Sequence, residues 1–224
     1  MYYATYGLVI LSLIISIAAS LNVKASFSKY SRVRNSRGIT GAQAAEQMLR
    51  DHGIMNVSVE PIAGSLTDHY DPTAQVIRLS QDVYNSDSVA AIGVAMHEAG
   101  HAVQYAENYA PVRLRHAIVK STNISSLVSY VLVLLGMVFS SYNLFTLGII
   151  FFLVVVFFQL VTLPVEFNAS GRAVRDIKNN MMFDESDRKG AAAVLRAAAL
   201  TYVAALVTSL LQLLRLLLIR GRRR

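Results

Sequence analysis

The sequence predicts a mainly α protein, with integral membrane helices joined to a small α+β part carrying a short β-hairpin or sheet. Three observations predict this. Of 224 residues, 54% are hydrophobic and only 16% charged, short of the ~25% charged content of a soluble domain. Residues 2–23 and the long run between Lys120 and Glu166 contain no charged side chain. The basic residues cluster beside these runs, so the net charge of +7 is read as membrane topology rather than nucleic-acid binding. Cysteine is absent, which excludes disulfides and thiolate metal ligands.

The first predicted element is a transmembrane helix over residues 1–23. A cleaved signal peptide would carry its positive charge before the apolar stretch. Here Lys24, Lys29, Arg32, Arg34 and Arg37 follow it instead. Tyr2, Tyr3 and Tyr6 would form an aromatic belt at the far interface.

Residues 24–120 form a second, aqueous part. A helix is predicted over 41–52, with Thr40 and Gln43 as a capping box and Gly53 as its stop. Residues 54–60 read as a strand, and Asp71-Pro72-Thr73-Ala74 as the turn of a hairpin. The stretch 75–80, QVIRLS, is read as an edge strand able to accept an extended peptide. Ser86, Asp87 and Ser88 offer N-caps for a helix over 88–108.

Residues 121–163 are read as a transmembrane hairpin, with spans at 122–139 and 144–163 around Ser140-Ser141-Tyr142-Asn143. One span needs only about 20 residues. Pro164 then suits the first turn of a new helix over 165–180, within a segment 164–190. Asp184 or Ser186 would cap the last helix. Residues 191–224 form an Ala/Leu-rich helix with a basic tail, read as a fourth span or an interfacial helix.

One stretch carries chemistry, Val94-Ala95-Met96-His97-Glu98-Ala99-Gly100-His101-Ala102-Val103-Gln104. Residues i and i+4 share a helix face, so His97 and His101 can direct two imidazoles at one ion. Glu98, beside the first histidine, can face a water that the ion activates. This is the HExxH pattern of zinc hydrolases, with the glutamate as general base. Burying three such groups without partners would cost on the order of 1–3 kcal/mol each. A catalytic zinc takes three protein ligands. His116, Glu107 and Glu166 are the candidates for the third. His116 lies beyond Pro111, Glu107 is six residues past His101 along the axis, and Glu166, in VEFNASGRA, is the better placed. Its plain alternative is a helix N-terminal carboxylate. His69, Tyr70 and Arg172 are candidate oxyanion donors, with His69 the one singled out.

HEAGHAVQ, PVEFNASGRA and the upstream SLTDHYDPTAQVIRLS together resemble the YugP-type family of neutral zinc metallopeptidases of bacterial membranes, over nearly the whole chain. More distantly, the layout resembles membrane gluzincins of the HtpX and CAAX-protease type, which place a membrane hairpin between HExxH and a glutamate ligand. The resemblance implies a gluzincin-like metalloprotease part, one zinc per chain held by His97, His101 and Glu166, and Glu98 as the base. The gluzincin pattern has Asp four residues after its glutamate. Here Ser170 stands at that position, so Asn168 or Ser170 would have to orient a ligand histidine.

These readings lead to a membrane-embedded metalloendopeptidase, with quality control of membrane proteins as a role. Its partners would be a peptide or protein substrate and the lipid bilayer, with no nucleic acid; oligomeric state is left open. The alternatives are a catalytically silent zinc-stabilised scaffold and a hydrolase of a non-peptide amide. Residues 24–120 hold ten Lys/Arg, 164–196 hold six, and 140–143 hold none. The positive-inside rule therefore puts a multi-pass protein in the plasma membrane with its active site cytoplasmic. A spanning last helix would leave Arg220 and residues 222–224 outside, against the rule.

Overall fold

The computed structural model describes residues 2–179 and 183–221, with side chains from Thr5 onward. The side chains of Tyr2 and Tyr3 and the tail 222–224 lie outside the described residues. The chain is mainly helical, with a small sheet. Its elements run α1 (Tyr2–Tyr30), α2 (Gly41–Asp51), β1 (Ser58–Ile62), β2 (His69–Asp71), β3 (Val76–Ser80), α3 (Gln81–Tyr84), α4 (Val89–Ala106), α5 (Ala110–Val138), α6 (Tyr142–Asn179) and α7 (Glu185–Gly221). They divide into two compact units. One takes in the chain up to Ser20, Arg113–Pro164 and the chain from Thr201. The other comprises Leu21–Val112 and Val165–Leu200.

In the second unit, α2 starts where its sequence says it should. The Thr40 N–H donates to Gln43 Oε1 at 2.9 Å, and the Gln43 N–H donates to Thr40 Oγ1 at 3.3 Å. The α4 helix is capped by Ser88, whose Oγ accepts from the Ala91 N–H at 3.1 Å. The apolar faces of these helices meet over a core of Met48, Leu49, Ile77, Ile92, Met96 and Ile177.

The sheet has the order β1-β3-β2. β2 and β3 form the expected antiparallel hairpin, Tyr70 opposite Ile77. Asp71 Oδ1 closes the turn by accepting from the N–H groups of Thr73 and Ala74 at 2.9 and 3.1 Å. β3 is the central strand, not an edge, because β1 pairs with it in parallel on the other side. Val76, Ile77, Leu79 and Ser80 are accordingly buried. β1 begins later than the sequence suggests: Ile54 turns into the helical core instead of joining the sheet. As an edge strand, β1 tolerates Pro61, whose missing N–H costs no ladder bond there.

In the first unit, α5 and α6 pack as a hairpin. A Cβ on Gly136 would meet the Phe145 backbone nitrogen at 2.6 Å, and one on Gly148 the Val133 nitrogen at 2.9 Å. Small residues permit this approach where lipid supplies no hydrophobic drive. Ser129 Oγ donates to the Gly148 carbonyl at 2.8 Å. Leu216 of α7 joins Phe145 and Ile149 of α6, and Arg220 Nε donates to Thr146 Oγ1 at 2.9 Å. The end of α7 therefore lies beside the start of α6. Among the described residues, four helices are long and apolar enough to cross a membrane: Thr5–Tyr30, Ala110–Val138, Tyr142–Asn179 and Glu185–Gly221.

Pro164 does not open a new helix. α6 runs through it from Tyr142 to Asn179. A proline removes one N–H from the ladder, and the apolar run before it and the packed segment after it hold the helix together across that gap. Asp184 Oδ1 caps α7 by accepting from the N–H groups of Ser186 and Asp187, both at 2.9 Å.

Candidate metal centre

The site lies in the second unit, between α4 and the C-terminal part of α6. A Cβ at Gly100 would stand 2.8 Å from the Ala169 carbonyl oxygen. Only glycine lets the two backbones come so close. That contact brings the histidine face of α4 against the first turns after Pro164.

His97 and His101 stack edge to face, with ring centroids 4.8 Å apart. Their Nε2 atoms lie 3.3 and 3.7 Å from one oxygen, Glu166 Oε2. One ligand atom from each of the three residues falls within 4.8 Å of the others. Glu166 is 2% exposed and His101 8%. His101 is held by opposing influences. Burial lowers its pKa, but the bond to Glu166, the charges of Glu98 and Glu166 and the bond to Gln104 outweigh it, for a net upward shift.

Each Nδ1 has its own partner. His97 Nδ1 is 3.1 Å from Ser170 Oγ, and His101 Nδ1 is 3.0 Å from Gln104 Oε1. Both Nε2 atoms are thereby turned toward the carboxylate. Two ligand atoms at tetrahedral positions ~2.0–2.1 Å from zinc stand roughly 3.3 Å apart. The His97–Glu166 separation of 3.3 Å matches that spacing and the His101–Glu166 separation, 3.7 Å, is wider, and an N2O donor set of this kind suits zinc. The residues fit the ion.

Glu98 is buried on the same helix, and its Oε2 accepts from the Tyr70 N–H at 3.0 Å. That N–H points away from β3, so the β2 edge of the sheet borders the site. The Tyr70 ring packs edge to face on Tyr105, 5.6 Å between centroids. Burial first, then the neighbouring Tyr105 and Asp71, push its phenol pKa up.

The remaining candidates are placed elsewhere. His69 Nδ1 is 2.8 Å from the Thr67 carbonyl, and its Nε2 lies 3.5 Å from Arg78. Glu107, the C-cap of α4, pairs with Arg172 at 2.7 Å, and Arg172 Nε also donates to Asn168 Oδ1 at 2.7 Å. His116 is exposed on α5 and is not among the three converging donors. Sequence reasoning missed Gln104. The available signal was its position three residues after His101, on the same helix face.

Residues 5–221 match the model of a family described as "Putative neutral zinc metallopeptidase", and the chain belongs to that family. It is 50% identical over 212 residues to the "Putative membrane protease YugP" of Bacillus subtilis (strain 168), covering 95% of this chain and 94% of that protein. This likeness and the four candidate spans support a place in a membrane. No solved structure matches the chain.

Proposed function

We propose that the chain is a plasma-membrane zinc-dependent metalloendopeptidase, with one zinc per chain held by His97, His101 and Glu166 and with Glu98 as general base. The observation that carries this is the convergence of both imidazole Nε2 atoms on Glu166 Oε2, at 3.3 and 3.7 Å, with Glu98 buried beside them. When bound, zinc supplies the Lewis acidity that brings a water's pKa towards about 7. Glu98 takes the proton of the attacking water and delivers it to the departing amine. The Tyr70 N–H holds one oxygen of Glu98 and so fixes the direction from which it acts. Ser170 and Gln104 orient the two imidazoles.

The substrate would be an extended peptide. β2 is a sheet edge beside the base, so an extended peptide laid alongside it would bring its main chain to the site. Main-chain recognition of this kind tolerates varied sequences, which supports a role in membrane protein quality control.

The test uses detergent-purified full-length protein, metal analysis, and denatured-protein and lipid-amide substrates. Glu98→Gln should retain zinc and lose about 10²–10⁴-fold in hydrolysis. Undiminished hydrolysis by the zinc-loaded variant would remove Glu98 as base. Zinc binding by the wild type without any hydrolysis would favour a scaffold, and cleavage of the lipid amide alone a non-peptide hydrolase.

A further inference from the structure

The hydrogen bonds behind His101 have a direction, and it can be read from an end that admits no ambiguity. A guanidinium N–H only donates. The Asn168 atom that Arg172 Nε meets at 2.7 Å is therefore the carbonyl oxygen Oδ1. Gln104 meets the same Oδ1 at 3.0 Å, so Gln104 presents its amide nitrogen there. A second contact agrees, because the same Nε2 lies 2.8 Å from the Val165 carbonyl, another pure acceptor. Gln104 is left with its oxygen Oε1 toward His101 Nδ1, at 3.0 Å. An amide oxygen only accepts, so a proton sits on His101 Nδ1, and Nε2 is the nitrogen left to face a metal. Gln104 is 0% exposed, and no bulk water competes for these bonds.

We infer that Arg172, Asn168 and Gln104 form a hydrogen-bond chain of fixed polarity that holds His101 in its Nδ1–H tautomer, making Gln104 a positioning residue for the metal ligand. The inference rests on the reading of His101 as a ligand. The chain is anchored at its outer end by Glu107, 2.7 Å from Arg172. It ties the α4 histidine to the backbone of Val165, the neighbour of Glu166, so one buried amide sets both the tautomer of one ligand and its spacing from another. Among the described residues, His97 has no such device. Its partner Ser170 has a hydroxyl that can donate or accept, so that contact imposes no polarity. Elsewhere, ligating histidines commonly donate to carboxylates, backbone carbonyls or water. Here a neutral side-chain amide does this, backed by a permanent charge two residues further along the chain of bonds.

The test separates orientation from packing by comparing two orders. Zinc affinity of full-length protein in detergent is measured by competition with a chromophoric chelator, and melting temperature is measured on the metal-free proteins. Gln104→Met removes the acceptor and should lower affinity about 10–100-fold. Gln104→Glu keeps an acceptor toward His101 but faces Val165 O and Asn168 Oδ1 with a carboxylate. It should recover most of the lost affinity while melting no higher than Gln104→Met. Arg172→Met should weaken zinc binding, and Gln104→Met/Arg172→Met should be no weaker than Gln104→Met alone. Affinities that follow the melting order, wild-type affinity in Gln104→Met, or additive losses in the double variant would each overturn the chain as an orienting device. Wild-type protein that takes up no zinc would overturn the reading of the site itself, and this inference with it.

Discussion

Ser170 stands four residues after Glu166 on α6, and its hydroxyl oxygen lies 3.1 Å from His97 Nδ1. One helix thus supplies a candidate ligand and, one turn on, the partner of another. Ser170→Ala should lower zinc affinity by about 10-fold or more. Ser170→Asp should equal or exceed the wild type, because a carboxylate is the stronger acceptor. Chelator competition checks both, and an alanine variant that binds like wild type would reduce the contact to packing.

Glu166→Ala should lose zinc affinity, and hydrolysis with it, because a third ligand supplies both charge and geometry. His116→Ala should lose neither. The same competition assay decides, and the reverse pattern would show that the ligand set is wrong.

His69 is the candidate oxyanion donor whose described bonds run to Thr67 and Arg78. If it reaches substrate on binding, His69→Ala should lower turnover with little loss of zinc, since a donor of this kind acts on the transition state. Steady-state kinetics with metal-loaded protein measures it. An unchanged turnover number would leave His69 as a hairpin residue, alongside Asp71 and Arg78.

A cytoplasmic active site makes a labelling prediction. Since the chain has no cysteine, single cysteines can be placed at Ser36, Ser141 and Asn179 and after residue 224. An impermeant thiol reagent on intact cells should label position 141 and spare 36 and 179. The opposite pattern would reverse the orientation. The Arg220–Thr146 bond puts the end of α7 beside the start of α6, so the tail cysteine should label together with 141.

Much of this was legible locally. The capping box at Thr40 and Gln43, the Ser88 cap and the Asp71 turn are short-range devices, and each forms between residues close in sequence. The histidine pair was legible for the same reason, being one helical turn apart. What failed was long-range or cooperative. Nothing in residues 58–62 announces a parallel partner at 76–80, so the sequence alone reads 75–80 as an edge although β3 is the middle strand. Pro164 reads as a boundary by its own chemistry, yet packing on either side carries α6 through it. Gln104 carries no local signal of a role beyond its spacing from His101. Its meaning depends on Val165, Asn168 and Arg172, some 61 residues or more away in sequence.

Gly100 offers no donor atom to a metal, yet its α-hydrogen faces the Ala169 carbonyl across a gap that a methyl would overfill. The mutational target for losing this centre is therefore larger than the residues that would bind the ion. Every coding change at position 100 introduces a Cβ, and each would act as a wedge between the helix bearing two donors and the helix bearing the third. Position 100 is therefore closed to side chains although it would hold no part of the ion itself.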